Sequence, residues 1–562
     1  MRLRTDVGKR RGCAVARRRT ARTIDKTARD RFGFDHLRPG QREAIEAVLA
    51  GRDTLAVLPT GAGKSAIYQI AGTLLDGPTI VVSPLIALQR DQAEAIADQD
   101  SGGAVRLNST LSNGAREDAL AEFAAGETEF LLLAPEQLAN PETLERLAAA
   151  EPSLFVVDEA HCISDWGHDF RPDYLRLGAV AASLGDPILL ALTATAAPPV
   201  RDEIVTRLGM VDPVVIVQSF DRPNIRLSVE RFTDEDDKFA AVADFVAKAT
   251  KPGIVYAATR SRCEDLAAAL RERGVEALPY HAGLPHAERE AAQTAFMDGG
   301  LPVVVATTAF GMGIDKAGVR FVAHLDISES LDSYYQEIGR AGRDGEPAEA
   351  RLFYRSGDLD LRRFFAASGK LEAEEAQQIA EAVRRSRRAV EPGWLADKLD
   401  LSKNRLAVAL ARLDEAGAVR LLPTGGAEPV PGADIAAAAA AAAERQEERR
   451  RFARSRVEMA RAYADGEGCR RAFLLGYFGE GFEPPCGNCD ACEAGHGAHA
   501  GASDDLFAVG TGVTHERWGD GSVVRSEIGT VTVLFESAGY RTLDRALVLA
   551  ERLLRPATEA VA

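Results

Sequence analysis

The sequence predicts an α/β protein with two lobes built on parallel sheets, then a helical segment that carries four clustered cysteines, and finally a small C-terminal β-barrel. Apolar runs of strand length alternate with amphipathic helical stretches, which is the pattern of parallel sheets covered by helices. The runs form two series: TIVVS, FLLLA, LFVVD and PILLALT, then GIVYA, PVVVA, RFVAHL and ARLFY. A chain of 562 residues is long enough for several domains.

A glycine-rich turn follows an apolar run in LAVLPTGAGKS, residues 55–65. The glycines let backbone N–H groups turn around phosphate oxygens, Lys64 adds a positive charge, and Ser65 offers a hydroxyl to Mg²⁺. Leu58 replaces the first glycine of the usual phosphate loop, so an ordinary strand–turn–helix junction is the alternative. The residues assigned to the nucleotide by this interpretation are Thr60, Gly61, Gly63, Lys64 and Ser65.

A pair of carboxylates ends another apolar run in SLFVVDEAH, residues 153–161. Asp158 is expected to hold Mg²⁺ through water, and Glu159 to orient and deprotonate the water that attacks the γ-phosphate. Alone, the pair is equally typical of a solvated acidic turn. Because both features end predicted strands and occur in this order, the sequence predicts a nucleoside triphosphatase.

DEAH at 158–161 resembles the second motif of superfamily 2 helicases, and other segments resemble the remaining motifs of the RecQ family of DNA helicases. These segments are FGFDHLRPGQ (32–41), SPLIALQRDQ (83–92), CISDWGHDFRPDYLRL (162–177), ALTATA (191–196), FDRPNI (220–225), IVYAATR (254–260), TTAFGMGIDK (307–316) and YYQEIGRAGRDG (334–345). The resemblance implies two RecA-like lobes with ATP between them. It also implies ATP-dependent 3′→5′ translocation on single-stranded DNA and duplex unwinding in DNA repair or recombination.

The resemblance assigns roles to individual positions. In the family an aromatic ring stacks on adenine, an arginine finger reaches the γ-phosphate, and an aromatic-rich loop contacts single-stranded DNA by stacking. The residues implied in catalysis are His161, Gln336, Arg340 and Arg343; those implied at the nucleotide are Phe34, Arg38, Gln41 and Asp315; those implied at DNA are Trp166, Phe170 and Arg171. Surface arginines and core aromatics are the alternatives for the finger and the loop.

Four cysteines cluster near the C-terminus, at Cys469, Cys486, Cys489 and Cys492. Four thiolates at this spacing suit tetrahedral Zn²⁺, and an iron–sulfur cluster is the chemical alternative. The segment 469–492 resembles the zinc-binding segment of the RecQ family, which implies zinc in a structural role.

More than a hundred residues separate the second predicted lobe from Cys469, whereas in the family the zinc-binding helices follow it directly. Within this stretch, residues 394–422 have the pattern of a helix–turn–helix with the start of a wing. Ser402 is a candidate N-cap, and leucines recur at helical spacing after it. We therefore expect a winged-helix-like insertion at about 386–432; a plain helical hairpin is the alternative.

Residues 510–548 contain short alternating strands broken by glycines, which predicts a small β-barrel. The segment resembles the Tudor-like domain at the end of Rep- and PcrA-type helicases, which implies a protein partner, with RNA polymerase as a candidate. A generic SH3-like cap is the alternative. The linker at 494–503 predicts that the barrel folds as a separate module.

The expected domains are a basic disordered tail (1–23), lobe 1 (24–212), lobe 2 (213–356), a zinc-binding domain with the insertion (357–495), and the Tudor-like barrel (505–556). The net charge of −16 is unusual for a nucleic-acid-binding protein, although a local basic groove can still bind DNA. Residues 1–23 carry nine Arg or Lys but no apolar signal-peptide segment, and no apolar run is long enough to span a membrane. We expect a cytoplasmic, nucleoid-associated protein.

The predicted function is unwinding of DNA that carries single-stranded or branched regions, with ATP, Mg²⁺ and Zn²⁺ as cofactors. Three alternatives remain open from the sequence. One is an RNA helicase or remodeller of the DEAD/DEAH group, and another is a DNA-stimulated adaptor to RNA polymerase with weak unwinding. The third is an adaptor with a decayed ATPase, against which the intact triphosphatase residues argue.

Substituting Trp166→Ala should leave basal ATP hydrolysis intact and lower its stimulation by single-stranded DNA. Loss of one stacked base costs roughly 1–3 kcal/mol, so the DNA concentration for half-maximal stimulation should rise about tenfold. Titration of ATPase rate against an oligonucleotide measures the effect. Unchanged stimulation would make Trp166 a packing residue.

Overall fold

The computed structural model describes residues 17–84, 86–97, 102–108, 111–164, 171–311, 314–367, 369–386, 389–424, 426–497, 507–527, 529–535 and 537–556. Trp166 and Phe170 therefore lie outside the described residues. The chain divides into two compact units. The first contains residues 1–196, 200–218 and 373–440; the second contains 197–199, 219–372 and 441–562.

A parallel sheet of seven strands forms the centre of the first unit, in the order β3-β4-β2-β5-β6-β1-β7. Its strands are β1 Thr54–Val57, β2 Thr79–Val82, β3 Ala104–Leu107, β4 Phe130–Leu133, β5 Leu154–Val157, β6 Ile188–Thr193 and β7 Val214–Val217. Its helices are α1 Arg17–Phe32, α2 Gln41–Leu49, α3 Ser65–Leu74, α4 Ile86–Ala97, α5 Asn113–Ala124, α6 Pro141–Ala149, α7 Leu177–Ser183 and α8 Pro198–Leu208, with single 3₁₀ turns at Pro135–Ala139, Ala160–Ile163 and Pro172–Arg176. The central strands are buried on both faces, which explains their uninterrupted apolar sequences.

Helix α1 corrects one expectation at the N-terminus. The part of the predicted disordered tail that is described, residues 17–23, belongs to this helix. Ile24, Ala28 and Phe32 recur at helical spacing and are buried in the core of the first lobe. The helix is therefore an integral part of the lobe.

A second parallel sheet, of six strands, organises the second unit in the order β10-β11-β9-β12-β13-β8. The elements are β8 Ile225–Phe232, α9 Glu235–Lys248, β9 Gly253–Tyr256, α10 Arg260–Glu272, β10 Ala277–Tyr280, α11 His286–Asp298, β11 Val303–Ala306, β12 Phe321–His324, α12 Leu331–Ile338, β13 Ala348–Arg355 and α13 Asp358–Ala367. Two parallel-sheet lobes are thus present, as predicted.

The stretch between the second lobe and the cysteines contains a compact domain of three helices and a hairpin. Its elements are α14 Ala373–Ser386, α15 Pro392–Leu399, α16 Lys403–Glu415, β14 Val419–Leu421 and β15 Ala427–Pro429. Ser402 caps α16 by accepting a hydrogen bond from Arg405 N at 3.3 Å, and Leu406, Leu410 and Leu413 are buried. The winged-helix-like insertion was expected to begin at about residue 386, and this boundary leaves out α14, which packs on α16. We call residues 373–430 the inserted domain; it belongs to the first unit.

Three further helices precede and carry the cysteines: α17 Ile435–Asp465, α18 Arg470–Tyr477 and α19 Asp490–Glu493. The C-terminal elements are β16 Gly512–His515, β17 Gly519–Ser526, β18 Thr530–Phe535, β19 Gly539–Asp544, α20 Arg545–Glu551 and β20 Leu554–Pro556. The five strands form an antiparallel sheet in the order β19-β18-β17-β16-β20. Among the described residues the pairing does not join β19 to β20, so closure into a barrel stays a prediction. No helix of the described chain is long and apolar enough to cross a membrane.

The C-terminal sheet packs directly on α17 and α18, so the expectation of a separate module is wrong. Tyr540 is buried, and its ring stacks on that of Tyr477 with centroids 4.9 Å apart. Its backbone N–H donates to Ser455 Oγ at 3.1 Å. Tyr477 in turn donates through its hydroxyl to Asp332, which also pairs with Arg456 Nη2 at 2.8 Å. The sheet is thereby connected to the first turn of α12.

Substituting Tyr540→Ala should destabilise the second unit. The change opens a cavity between the sheet and the helices, and such aromatic truncations cost about 3–5 kcal/mol. Thermal unfolding measures the effect. Leu549→Ala is the matched control because Leu549 lies in the same C-terminal segment but is about half exposed; it should change stability by less than about 0.5 kcal/mol. Equal effects of the two variants would contradict the packing described.

Candidate active site and metal centre

Gln41, the first residue of α2, fixes the conformation of the loop between β1 and α3. Gln41 Nε2 donates to Ala62 O and Gly63 O, both at 2.9 Å. Gly61 and Gly63 adopt φ values of +84° and +72°, in the left-handed region that favours glycine. A Cβ at Gly63 would lie 2.9 Å from Gln41 Nε2. The turn therefore needs its glycines, and its conformation is fixed by a side chain from the upstream motif.

Two of the three residues predicted at adenine, Arg38 and Gln41, contact this loop. Arg38 N donates to Gln41 Oε1 at 2.7 Å, and the Arg38 guanidinium donates to Gly61 O. Phe34 stacks on Phe32 with ring centroids 6.2 Å apart, and it remains more than a third exposed. The exposed ring of Phe34 is a flat apolar surface on which a base can stack.

Asp158 ends β5 in a buried position beside the loop. The pKa of its carboxyl is raised to about 7, chiefly by burial and next by the charge of Glu159, while Lys64 opposes the rise. Ser65 Oγ accepts a hydrogen bond from Gln92 Nε2 at 3.2 Å. Carboxylate and hydroxyl oxygens beside a lysine suit Mg²⁺ with phosphate. A cation would also favour the ionised carboxylate despite its burial.

Glu159 and His161 connect this strand end to that of β6. Glu159 adopts φ +48°, and its N–H donates to Asp158 Oδ1 at 3.0 Å. The fully buried His161 places Nδ1 3.4 Å from Glu159 Oε2 and 3.0 Å from Thr193 Oγ1. Glu159 Oε2 is buried and accepts no hydrogen bond from the described residues. A carboxylate in this state can act as a general base toward a water molecule that reaches it.

Arg171, predicted at DNA, lies half-buried against the first lobe. Its Nη1 donates to Pro84 O at 3.3 Å, and its N–H donates to Cys162 O at 3.0 Å. The buried Tyr174 then donates through its hydroxyl to Asp158 O at 3.1 Å. The stretch after residues 165–170 is therefore attached to the strand end that carries the carboxylate pair.

In the second unit, the structure brings together Arg343 and Asp315. Arg343 Nη1 lies 2.6 Å from Asp315 Oδ1. Burial lowers the pKa of Arg343, and the Asp315 carboxylate opposes this. Arg340 is buried, and Gln336 is half-buried on α12. Phosphoryl transfer uses guanidinium groups of this kind to neutralise charge.

The turn that carries these arginines is fixed by two residues that the sequence analysis did not single out. The Arg222 guanidinium donates to Gly339 O at 3.2 Å and to Ala341 O and Gly342 O, both at 3.0 Å. Gly342 has φ +56°, and a Cβ there would lie 2.4 Å from Asn224 Nδ2. Both residues belong to the segment FDRPNI, so a signal was present in the sequence.

The four clustered cysteines form a compact metal centre. Their sulfur atoms all lie within 4.8 Å of one another, and those of Cys486 and Cys492 are 3.8 Å apart. A tetrahedron with Zn–S bonds of about 2.3 Å has edges of about 3.8 Å. In a polynuclear iron–sulfur cluster the cysteines bind different irons and lie further apart. The sulfur positions therefore fit a single Zn²⁺ with a closed shell.

The metal centre also binds the edge strand of the second sheet. Leu227 N donates to Asn488 O at 3.3 Å, and Val229 N donates to Asp490 Oδ2 at 3.1 Å. Arg470 holds Asp490 from the other side at 2.9 Å. Edge strands present unpaired backbone groups, and here those of β8 are covered. Loss of the metal would therefore destabilise the second lobe as well as the cysteine segment itself.

Three protein-family models match the chain. They are the DEAD/DEAH box helicase (residues 38–203), the helicase conserved C-terminal domain (237–345) and the RecQ zinc-binding domain (433–493). Together they match more than half of the chain. The inserted domain lies between the second and third matches.

Among curated proteins, the chain is 35% identical over 485 residues to a probable ATP-dependent DNA helicase RecS of Bacillus subtilis, covering 86% of this chain and 93% of the relative. It is 36% identical to the ATP-dependent DNA helicase RecQ of Pasteurella multocida, covering 82% of this chain and 61% of that protein. It is 44% identical to the ATP-dependent DNA helicase Q5 of Rattus norvegicus, covering 61% of this chain and 37% of that protein. The chain thus spans less than two thirds of the last two relatives.

Among solved structures, the fold is similar to that of the DUF1998 helicase MrfA bound to DNA. The TM-score is 0.52 at 18% sequence identity, over 74% of this chain and 59% of that one. At this identity the likeness concerns the fold alone.

The purified protein should contain about one Zn²⁺ per chain, measured by elemental analysis. Cys489→Ser should lower the zinc content and the thermal stability together, because the metal-binding free energy contributes to folding. Cys263→Ala, which removes a buried thiol from the core of the second lobe, should keep its zinc. Iron in the native protein, or a stable metal-free Cys489→Ser variant, would contradict the assignment.

Proposed function

Since the chain belongs to the RecQ family of ATP-dependent DNA helicases, we propose that it couples ATP hydrolysis to 3′→5′ translocation on single-stranded DNA and to duplex unwinding in repair or recombination. Membership makes the protein a DNA helicase and ATPase that uses ATP, Mg²⁺ and Zn²⁺. The direction of movement and the pathway belong to the proposal. Its substrates would be single-stranded and branched DNA.

The observation that carries the proposal is the buried Asp158 carboxylate at the edge of the phosphate loop. In the proposed cycle, Lys64 and the loop N–H groups bind the β- and γ-phosphates, while Ser65 and Asp158 hold Mg²⁺. Glu159 activates the attacking water; its position directly after Asp158 and next to His161 supports this role. His161 contacts both Glu159 and Thr193 and so links these two side chains.

In the second unit, Arg343 is proposed as the finger that stabilises charge on the γ-phosphate, with Arg340 and Gln336 as supporting residues. The pair with Asp315 supports this role, because it gives the largely buried guanidinium a carboxylate partner that a phosphate can replace. Thr60, Gly61 and Gly63 are proposed to line the phosphates. Stacking on Phe34 with Arg38 and Gln41 nearby is proposed for adenine.

Single-stranded DNA is proposed to contact the segment that includes Trp166, Phe170 and Arg171. Support comes from the hydrogen bond between Tyr174 and Asp158 O, which attaches the end of this segment to the catalytic strand. Contacts made to DNA there can affect the carboxylate pair through a short path. The same path would serve an RNA helicase, which is the second candidate; strand displacement on matched DNA and RNA duplexes distinguishes them.

The C-terminal sheet is proposed as a Tudor-like barrel that binds a protein partner at the nucleoid, with RNA polymerase as the candidate. Leu547 and Leu549 on α20 are each about half exposed, which supports a docking role. Because the sheet also packs on α17 and α18, its removal is expected to affect the motor as well. Substitution of the exposed leucines is therefore the appropriate test, read by a pull-down with unwinding measured in parallel.

Lys64→Ala should abolish DNA-stimulated ATP hydrolysis, and Glu159→Gln should bind ATP–Mg²⁺ but hydrolyse it at least about 100-fold more slowly, because general-base assistance is lost. Nucleotide binding and steady-state turnover are measured side by side. Glu145→Gln, an exposed carboxylate on α6, is the matched control and should behave as wild type. Turnover close to wild type in either site variant would exclude this site.

A further inference from the structure

One short segment of the second unit contacts both the residues around the metal centre and the turn that carries Arg343. It comprises residues 219–225, which lead into β8, and we call it the connecting segment. Its two neighbours are the cysteine segment, residues 469–492, and the arginine turn, residues 339–345. Successive residues of the connecting segment contact the two neighbours alternately, so that it lies between them.

Two side chains of the cysteine segment hold the connecting segment from one side. The buried Arg471 pairs with Asp221 and donates through Nη2 to Ile225 O at 2.9 Å. Asn488 donates through Nδ2 to Pro223 O at 2.9 Å. Both donors lie among the four cysteines in the chain. The position of the connecting segment therefore depends on the fold around the metal.

A buried aromatic contact adds a second connection on this side. The ring of Phe220 stacks on that of Phe478 with centroids 4.5 Å apart, and Phe220 N donates to Glu480 Oε2 at 2.7 Å. The carbonyl of Phe220 accepts a hydrogen bond from the Tyr335 hydroxyl at 2.8 Å. Tyr335 lies on α12, the helix that leads into the arginine turn. The same residue thus contacts the helix on each side of it.

On its other side, the connecting segment holds the arginine turn by its carbonyl groups. Arg222 donates to three of them, as described above, and Asn224 Nδ2 donates to Gly342 O at 2.7 Å. Gly342 directly precedes Arg343. Pro223, between the two donors, has a fixed φ, which limits how far their spacing can change. These contacts fix the backbone from which the Arg343 side chain extends.

We propose that Arg471 and Asn488 are positioning residues for Arg343. The cysteine segment fixes the connecting segment, and the connecting segment fixes the arginine turn. The residues around the metal thereby affect the rate of phosphoryl transfer in addition to the stability of the protein. This inference rests on the proposed role of Arg343 at the γ-phosphate. It goes further, because it assigns residues of the zinc-binding domain a part in ATP hydrolysis.

The location of the contacts supports positioning over simple attachment. Outside the connecting segment, β8 is already held where Arg226 Nη2 pairs with Glu493 at 2.6 Å and Val229 N donates to Asp490 Oδ2. In the described structure neither Arg226 nor Val229 hydrogen-bonds to the arginine turn. The contacts of the connecting segment, by contrast, lie next to the residues that hold that turn. A misplacement of about 1 Å in a reacting group can cost about 100-fold in rate.

The test is Asn488→Ala in the full-length enzyme, with steady-state ATP hydrolysis measured at saturating single-stranded DNA. The substitution removes the amide that donates to Pro223 O. The expected result is an about fivefold lower kcat, the equivalent of one lost hydrogen bond. The KM for ATP and the zinc content should stay as in the wild type, because neither phosphate binding nor the thiolates are changed.

Glu493→Ala is the matched control, because it breaks a contact between the same two parts of the second unit that does not involve the connecting segment. It should leave kcat unchanged. Arg471→Lys is the second variant, for the case in which Asn488→Ala loses zinc or thermal stability. Lysine keeps a charge beside Asp221 but cannot also donate to Ile225 O as the guanidinium does. A lower kcat with normal zinc content supports the inference, and a wild-type kcat in the stable variant overturns it.

The same substitution in an Arg343→Ala background distinguishes positioning from a general loss of structure. If Asn488 acts through Arg343, Asn488→Ala causes no further loss once the guanidinium is gone. Single-turnover hydrolysis with excess enzyme measures the slow rates. A further about fivefold loss in that background, or a wild-type kcat in a stable Asn488→Ala, overturns the inference and leaves the proposed function intact. Unchanged hydrolysis in Arg343→Ala alone contradicts the proposed role of Arg343, and the inference with it.

Discussion

Both lobes depend on one constraint, which is the burial of parallel strands on both faces. The central strands of the first lobe are therefore mostly apolar, and the charged groups of the site lie where these strands end. In the first lobe, β1, β5 and β6 end side by side at the phosphate loop, the carboxylate pair and Thr193. Because neighbouring strands are in register, their ends differ little in height, and His161 can reach both Glu159 and Thr193. The residues of the proposed site are therefore brought together because these neighbouring strands end at the same edge of the sheet.

Much of this arrangement could be predicted from local sequence. Strands such as LFVVD are short, apolar and β-branched, and each is followed by a distinctive turn, so both their position and their polar ends could be recognised. The metal ligands could be predicted for the same reason, because three of them lie within seven residues. These features depend on contacts between residues close in the chain.

The remaining features depend on partners far apart in the chain. Arg222 donates to carbonyls near residue 340, and Arg207 pairs with Glu415. Arg222 stands in the recognisable segment FDRPNI, but the sequence does not show which carbonyls it contacts, and Arg207 resembles an ordinary surface charge. The linker before the C-terminal sheet has the composition of a spacer, but the composition of a linker does not report what the following strands pack against. The Tyr540 ring, which stacks on Tyr477, and the Tyr540 N–H, which donates to Ser455 Oγ, determine that, and neither Tyr540 nor Ser455 belongs to a recognisable motif.

The inserted domain has a consequence for biosynthesis. The first compact unit includes residues 1–196 and 373–440, with almost the whole second lobe encoded between them. Domains generally fold in order as they leave the ribosome, at about 5–20 residues per second. Here the first lobe must wait for its last component until the second lobe has been made. During that interval Arg207 and Arg176 lack the acceptors that they have in the inserted domain, Glu415 and Pro423 O, and the lobe exposes the surface that the domain later covers. The order of translation thus delays completion of the N-terminal half of the motor, and a nascent chain halted before residue 440 would contain an unfinished first unit.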